Sequence, residues 1–136
     1  MDRQMLISTA IDAMKGSYSP YSHFHVGAAL LCSDGSVYKG ANIENASYTP
    51  TVCAERVAFF RAVSEGKREF EAIAICGGKD GVLADYCYPC GVCRQVMREF
   101  CKTDEFRIIV IKSPEEYREY TLEELFPQGF GPGNMG

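Results

Sequence analysis

The sequence lacks any apolar run approaching the roughly 20 residues that a membrane-spanning helix requires. Residues 1–15 also lack the basic start, apolar core and small-residue cleavage site of a secretory leader. Nor is there a basic stripe that could follow a phosphate backbone, since 14 Lys and Arg stand against 18 Asp and Glu, giving a formal net charge of -4. We therefore expect a cytoplasmic protein with no membrane partner and no long nucleic acid partner.

The cysteines are not expected to form a disulfide framework. There are seven of them, an odd number, and no export signal accompanies them. We therefore predict reduced thiols, some of which bind a metal. They are Cys32, Cys53, Cys76, Cys87, Cys90, Cys93 and Cys101.

A chain of 136 residues, 46% of them hydrophobic, can bury one core, so we predict a single domain over 1–136 with a Gly/Pro-rich tail at 127–136. Predicted strands interleave with predicted helices, which favours an α/β sandwich with one antiparallel hairpin and parallel strand–helix–strand connections. The strands are predicted at 24–31, 37–39, 70–76, 106–111 and 115–120. The helices are predicted from the Asp2 cap to about Gly16, at 52–64 with an apolar stripe of Val57, Phe60 and Val63, at 91–101 and at 121–126.

Two helix starts carry the strongest chemical signal. Cys53 begins the second predicted helix, and Cys90 and Cys93 begin the third. Three thiolates suit tetrahedral zinc, and three protein ligands leave the fourth position to water, which is typical of a catalytic site. Each helix N-terminus carries roughly half a positive charge, which lowers the pKa of a thiol placed there. We therefore predict a zinc site on these three cysteines.

Three thiolates and one Zn²⁺ leave a residual negative charge that something nearby must offset. Arg56 follows three residues after Cys53, and its guanidinium can donate to ligand sulfurs and draw electron density away from the metal. We predict that Arg56 tunes the site in this way.

Glu55 lies two residues from Cys53, so it can reach water at the metal without binding the metal itself. Acting as general base and then as general acid, it would move protons from that water to a ring nitrogen and to a departing amine. A Cys-Ala-Glu sequence with a Pro-Cys-x-x-Cys pair downstream is typical of zinc deaminases.

Other interpretations of the cysteines remain open. A lone Cys-x-x-Cys also occurs in redox motifs and in structural zinc sites. Cys87, three residues before Cys90, could supply a fourth sulfur and close the site. The protein would then be a noncatalytic zinc-stabilised module, and Glu55 would have no chemical role.

The motifs taken together resemble the small, homotetrameric cytidine deaminases over nearly the whole chain. They are FHVGAA at 24–29, NIENA at 42–46, CAER at 53–56, PCGVCRQ at 89–95 and LFPQGFGP at 125–132. The resemblance implies a three-layer α/β/α sandwich with a mixed sheet of about five strands and one zinc per subunit. It also implies hydrolysis of cytidine and 2'-deoxycytidine in pyrimidine salvage.

The resemblance further implies roles for the residues that match the family's motifs. Asn42 and Glu44 would bind the 3' hydroxyl of the ribose and so select nucleosides over nucleotides. Phe24 would lie against the base or sugar, and the Ala54 backbone with the Glu55 carboxylate would read the pyrimidine edge. Tyr48 and Phe130 would reach a neighbouring subunit's pocket. A rival within the enzymes is a deaminase of another aminated heterocycle, of the blasticidin type, against which the loop at 42–45 argues.

Overall fold

The computed structural model describes residues 1–136 and consists of four α-helices around one five-stranded sheet. None of these helices is long and apolar enough to span a membrane. In chain order the elements are α1 (Arg3–Ala13), β1 (Phe24–Cys32), β2 (Val37–Ala41), α2 (Ala54–Ser64), β3 (Phe70–Lys79), α3 (Gly91–Phe100), β4 (Arg107–Ser113), β5 (Glu116–Thr121) and α4 (Leu122–Leu125). Short 3-10 turns at Met14–Gly16 and Pro132–Asn134 complete the chain.

The sheet has the strand order β2-β1-β3-β4-β5 and is mixed, as predicted. Only β3 and β4 pair in parallel; β1 pairs antiparallel with both β2 and β3, and β4 pairs antiparallel with β5. The predicted parallel strand–helix–strand connections are confirmed, because β3 and β4 pair in parallel and β2 and β3, both antiparallel to β1, run in the same direction. The antiparallel pair of β4 and β5 is a second hairpin, which the sequence did not indicate. The apolar strand β1 takes a partner on each side, which leaves the short, more polar β2 at the edge, where unpaired backbone groups can meet water.

The sheet buries both faces because successive side chains of a strand point to opposite sides. One face packs against α1 through Leu6, Ile7 and Ala10. The other face packs against α2 and α3 through residues that include Phe59 and Met97. These two cores confirm the three-layer α/β/α architecture.

Helix α2 buries a different stripe from the one predicted. Its buried apolar residues are Ala54, Ala58, Phe59 and Ala62, whereas Phe60 is 49% exposed. The small residues let α2 approach β2 so closely that a Cβ atom on Gly40 would lie 2.2 Å from the Ala54 carbonyl oxygen. Close packing of alanines against glycine therefore determines which side of α2 faces the sheet. The spacing of large apolar residues does not predict this contact.

Candidate zinc centre and substrate pocket

Three cysteine thiols converge between the N-termini of α2 and α3. Cys53 is the N-cap of α2, Cys90 is the N-cap of α3, and Cys93 lies in the first turn of α3. The Cys90 Sγ lies 3.7 Å from the Cys53 Sγ and 3.5 Å from the Cys93 Sγ, and all three sulfurs lie within 4.8 Å of one another. The backbone of two separate helix starts thus brings the predicted ligands together.

The spacing of the three sulfurs fits zinc. Zn–S bonds of about 2.3 Å in tetrahedral geometry place two sulfurs about 3.8 Å apart, close to the distances observed. No fourth cysteine, histidine or carboxylate joins the group. Cys87 lies outside it, and burial raises the pKa of its thiol to about 12. The closed four-cysteine alternative is therefore not formed, and one tetrahedral position is left for a ligand from outside the protein.

The surroundings favour ionisation of the Cys53 thiol, whereas the pKa of the Cys93 thiol is raised, chiefly by its hydrogen bond to Cys53. A hydrogen bond from Cys93 lowers the pKa of the Cys53 thiol to about 5, and Arg56 and Cys90 add to this effect. The Arg56 Nη2 donates to the Cys53 Sγ over 3.4 Å. The Arg56 Nε is buried without a hydrogen-bond partner, an imbalance that negatively charged sulfurs beside it would relieve.

Glu55 lies in the first turn of α2 and is only 4% exposed. Burial raises the pKa of its carboxyl group to about 7, and the negative charge of Cys53 adds to the rise. A carboxylic acid that titrates near neutrality can both accept and donate a proton at working pH. The site therefore combines three thiols that can hold a metal ion with a buried carboxylic acid.

Asn42 and Glu44 lie in the loop after β2, and both are already hydrogen-bonded within the chain. The Asn42 amide bridges two backbone groups of β1, accepting from the Val26 N–H over 2.9 Å and donating to the Phe24 carbonyl over 2.8 Å. The Glu44 carboxylate accepts the backbone N–H groups of Tyr21 and Ser22, over 3.0 and 3.2 Å, and the Ser22 hydroxyl. These bonds lower the pKa of Glu44, with the Ser22 hydroxyl the main cause.

The structure brings some of the other predicted residues together and leaves one apart. Glu44 and Tyr48 line one open cleft, together with Tyr21, Ser22 and Thr51. Phe24 is 41% exposed at the start of β1. Phe130 is 58% exposed in the tail, where its carbonyl oxygen accepts from the Gln95 side chain of α3 over 2.8 Å. Phe130 is not among the residues that line the cleft.

Gly77 shapes the surroundings of Phe24. Ala28 of β1 and Ile75 of β3 face the core beneath α2 and α3. Side chains alternate along a strand, so Phe24 of β1 and Gly77 of β3 lie on that same face of the sheet. A Cβ atom on Gly77 would lie 3.0 Å from the Phe24 ring and 3.2 Å from the Cys87 Sγ. The absent side chain thus leaves room for the aromatic ring and the thiol beside it.

Sequence reasoning missed Tyr21 and Ser22 as groups that hold the Glu44 carboxylate. They lie 23 and 22 residues away from it in the chain, in a loop that the sequence marks only by Pro20. No local signal identifies such a contact. Ala54, in contrast, is fully buried at the start of α2, as its place beside Cys53 requires.

Residues 1–109 match the family model described as "Cytidine and deoxycytidylate deaminase zinc-binding region". A cytidine deaminase of Halalkalibacterium halodurans is 50% identical over 135 residues, covering 99% of this chain and 98% of the relative. One of Sporosarcina psychrophila is 44% identical over 135 residues, covering 99% and 96%. The crystal structure of cytidine deaminase from Burkholderia pseudomallei superimposes with a TM-score of 0.87 at 41% identity, covering 96% of this chain and all of that one.

Proposed function

The chain belongs to the cytidine and deoxycytidylate deaminase family, and from this premise we propose that it hydrolyses cytidine and 2'-deoxycytidine to uridine and 2'-deoxyuridine with release of ammonia. The observation that carries the proposal is the convergence of three thiols beside one buried carboxylic acid. The family resemblance inferred from the motifs is confirmed.

Cys53, Cys90 and Cys93 would hold the zinc ion. Zinc bound in an open three-ligand site acidifies water and so supplies a nucleophile at neutral pH. The positive charge of Arg56 offsets the excess negative charge that three thiolates bring to a divalent ion. Its bond to Cys53 withdraws electron density from that sulfur, which keeps the site electrophilic.

Glu55 moves the protons. Water adds its oxygen to C4 of the cytosine ring, and Glu55 carries the proton released by that water to N3. Glu55 then takes the proton of the new C4 hydroxyl and delivers it to the amine. The C4–N4 bond breaks, and ammonia leaves as the C4 carbonyl forms. The raised pKa of Glu55, about 7, suits a group that must alternate between acid and base.

Asn42 and Glu44 select the sugar. Glu44 supplies only acceptor oxygens and Asn42 has one amide hydrogen to spare, so together they match a hydroxyl, which both donates and accepts. At the 3' position a sugar without that hydroxyl leaves the spare amide hydrogen of Asn42 without a partner, and a phosphate there brings negative charge against Glu44. Phe24 packs against the base or sugar, and the Ala54 backbone with Glu55 reads the pyrimidine edge.

The chain acts as one domain over 1–136 in a homotetramer, and the tail at 127–136 contributes to an interface between subunits. Tyr48 and Phe130 complete a neighbouring subunit's pocket, where Phe130 stacks on the base. Their exposure in the single chain, 74% and 58%, is consistent with this assignment because it leaves both rings accessible to a neighbouring chain. The reaction serves pyrimidine salvage in the cytoplasm.

The proposal is tested by following the ultraviolet absorbance of cytidine and of 2'-deoxycytidine with purified, zinc-replete protein. A sample treated with o-phenanthroline and a sample with cytidine 3'-monophosphate are the controls. We expect loss of both nucleosides that depends on zinc and spares the nucleotide. No loss of either nucleoside at verified zinc content would contradict the proposal, and deamination of the nucleotide would contradict the role of Asn42 and Glu44.

A further inference from the structure

The two backbone partners of the Asn42 amide determine which way its oxygen and its nitrogen face. The Val26 N–H can only donate and the Phe24 carbonyl can only accept, so the amide oxygen must face Val26 and the amide nitrogen must face Phe24. One hydrogen of the amide nitrogen then remains without a partner in the chain. That hydrogen is the group that Asn42 can offer to a ligand.

A side chain, that of Ser17, also bonds the Asn42 oxygen. The Ser17 Oγ donates to it over 2.5 Å. The Ser17 Oγ lies 3.1 Å from the Ser19 Oγ, which in turn lies 3.1 Å from the Nδ1 of His25. We call Ser17, Ser19 and His25 the serine–histidine relay. Ser19 is only 5% exposed, so its hydroxyl depends on partners within the protein.

The Asn42 oxygen, at one end of the relay, determines which group donates and which accepts in each of its hydrogen bonds. The Asn42 oxygen can only accept, so Ser17 gives its one hydroxyl hydrogen to it. The Ser17 oxygen then accepts from Ser19, and the Ser19 oxygen accepts from the Nδ1–H of His25. This direction assigns His25 the ring form that carries a hydrogen on Nδ1, because Nδ1 accepts when only the other ring nitrogen carries the hydrogen. Aligned bonds of this kind polarise and strengthen one another.

We infer that the serine–histidine relay positions Asn42 for the ribose. It fills the second lone pair of the Asn42 oxygen and so holds the amide plane in the orientation that points the spare hydrogen at the sugar hydroxyl. Ser17, Ser19 and His25 are positioning residues that act through Asn42. The inference rests on the proposed function, specifically on contact between Asn42 and the 3' hydroxyl.

The test compares the kinetics of Ser17→Ala with those of the unmodified enzyme on cytidine and on 3'-deoxycytidine. Loss of one neutral hydrogen bond predicts a rise in KM for cytidine of about two- to tenfold, with kcat changed less than about twofold. The KM for 3'-deoxycytidine should stay the same, because that substrate has no hydroxyl for Asn42 to bind. Ser17→Thr, which keeps the hydroxyl, should restore the KM for cytidine.

Zinc content and melting temperature are measured for each variant, and Ser8→Ala is the control, because Ser8 is an exposed serine bonded only within α1. If Ser17→Ala does not fold, Ser19→Ala takes its place. Its rise in KM should likewise be confined to the substrate that carries the 3' hydroxyl. An equal rise in KM for both nucleosides, or no rise in either, would overturn the relay. An unmodified enzyme that does not distinguish the two nucleosides would instead overturn the ribose assignment, and the relay with it.

Discussion

The Arg56 guanidinium lies over the N-cap of its own helix, with Nη2 3.4 Å from the Cys53 Sγ. The two residues are three apart, so one helical turn brings a fixed positive charge to a zinc ligand. This contact links the electrostatics of the metal to the local geometry of α2.

Arg56→Ala should keep the fold and weaken the metal site. Removing a group that bonds a metal ligand typically costs about 10- to 100-fold in metal affinity or activity, and we expect a loss in that range. The measurements are zinc affinity by competition with a chelator and kcat for cytidine. Arg61→Ala is the matched control, since Arg61 lies on the same helix and bonds the Lys39 carbonyl. Unchanged kinetics together with unchanged zinc affinity in Arg56→Ala would exclude its role.

Glu55→Gln should retain zinc and lose deamination. The amide keeps the size of the side chain but cannot carry protons, and general acid–base catalysis contributes about two to four orders of magnitude to a rate. We expect kcat to fall by at least that range while zinc content by elemental analysis stays near one per chain. A kcat equal to that of the parent protein would contradict the proposed role of Glu55 in proton transfer. Loss of zinc from the variant would instead show that Glu55 supports the structure of the metal site.

The sequence predicted the parts of the site that are encoded locally. Cys53 and Glu55 lie within one helical turn, and the pair Cys90 and Cys93 lies within another, so their geometry follows once the helices form. That the two helix starts meet depends on the sheet, because both helices pack on the same face of it. The parallel pairing of β3 and β4 supplies that scaffold, and the sequence indicated it only through alternating elements.

The contacts that join distant segments could not be predicted. The Asn42 bridge to β1 spans 16 residues, and the Ser22 bond to Glu44 spans 22. Such pairs depend on how β1 is placed between β2 and β3, which the apolar pattern of each strand leaves undetermined. Residues that would act across subunits, such as Tyr48, stay predictions because their partners lie outside the chain.

Gly27→Ala should destabilise the fold without touching the site. A Cβ atom there would lie 2.1 Å from the Ala10 carbonyl oxygen and 2.7 Å from the Met14 backbone nitrogen, so α1 would have to move off β1. Overpacking against backbone atoms predicts a loss of about 3 kcal/mol in the free energy of unfolding. Urea denaturation at matched protein concentration measures it, with Gly133→Ala as control because a Cβ atom at that position meets nothing. Equal midpoints for the two variants would contradict the close approach of α1.

The ion pair between Arg3 and Glu119 should make stability depend on pH in the acid range. Arg3 donates to both carboxylate oxygens of Glu119, over 2.5 and 3.0 Å, and this lowers the pKa of Glu119 below its ordinary value of 4.5. A depressed carboxyl pKa stabilises the fold above that ordinary value, and the contribution is lost as pH falls through the native pKa.

At neutral pH, Glu119→Gln should therefore have a lower melting temperature than the parent protein. At a pH well below the native pKa of Glu119, the two melting temperatures should be equal. Thermal melting across a pH series measures the difference, and Glu123→Gln, which removes an exposed carboxylate without a bound cation, is the control. A melting difference that persists unchanged at the acid end would assign the effect to packing and not to the charge.

Phe130 offers a test of pockets shared between subunits. If its ring stacks on a base in a neighbouring pocket, Phe130→Ala should lower kcat/KM for cytidine by roughly tenfold or more, as loss of base–aromatic stacking predicts. Chains carrying Phe130→Ala still provide Glu55, and chains carrying Glu55→Gln still provide Phe130. When the two are co-expressed with different tags and purified through both, sites built from Glu55 of one chain and Phe130 of the other should regain activity.

The mixed assembly should therefore be more active, per Glu55 present, than the Phe130→Ala protein alone. Met135→Ala is the control within the same tail, because Met135 is 77% exposed and should leave activity unchanged. If Phe130 instead served the pocket of its own chain, every site with an intact Glu55 would lack the ring, and mixing would restore nothing. Complementation thus separates a shared pocket from a self-contained one, because only a shared pocket lets two defective chains form a complete site.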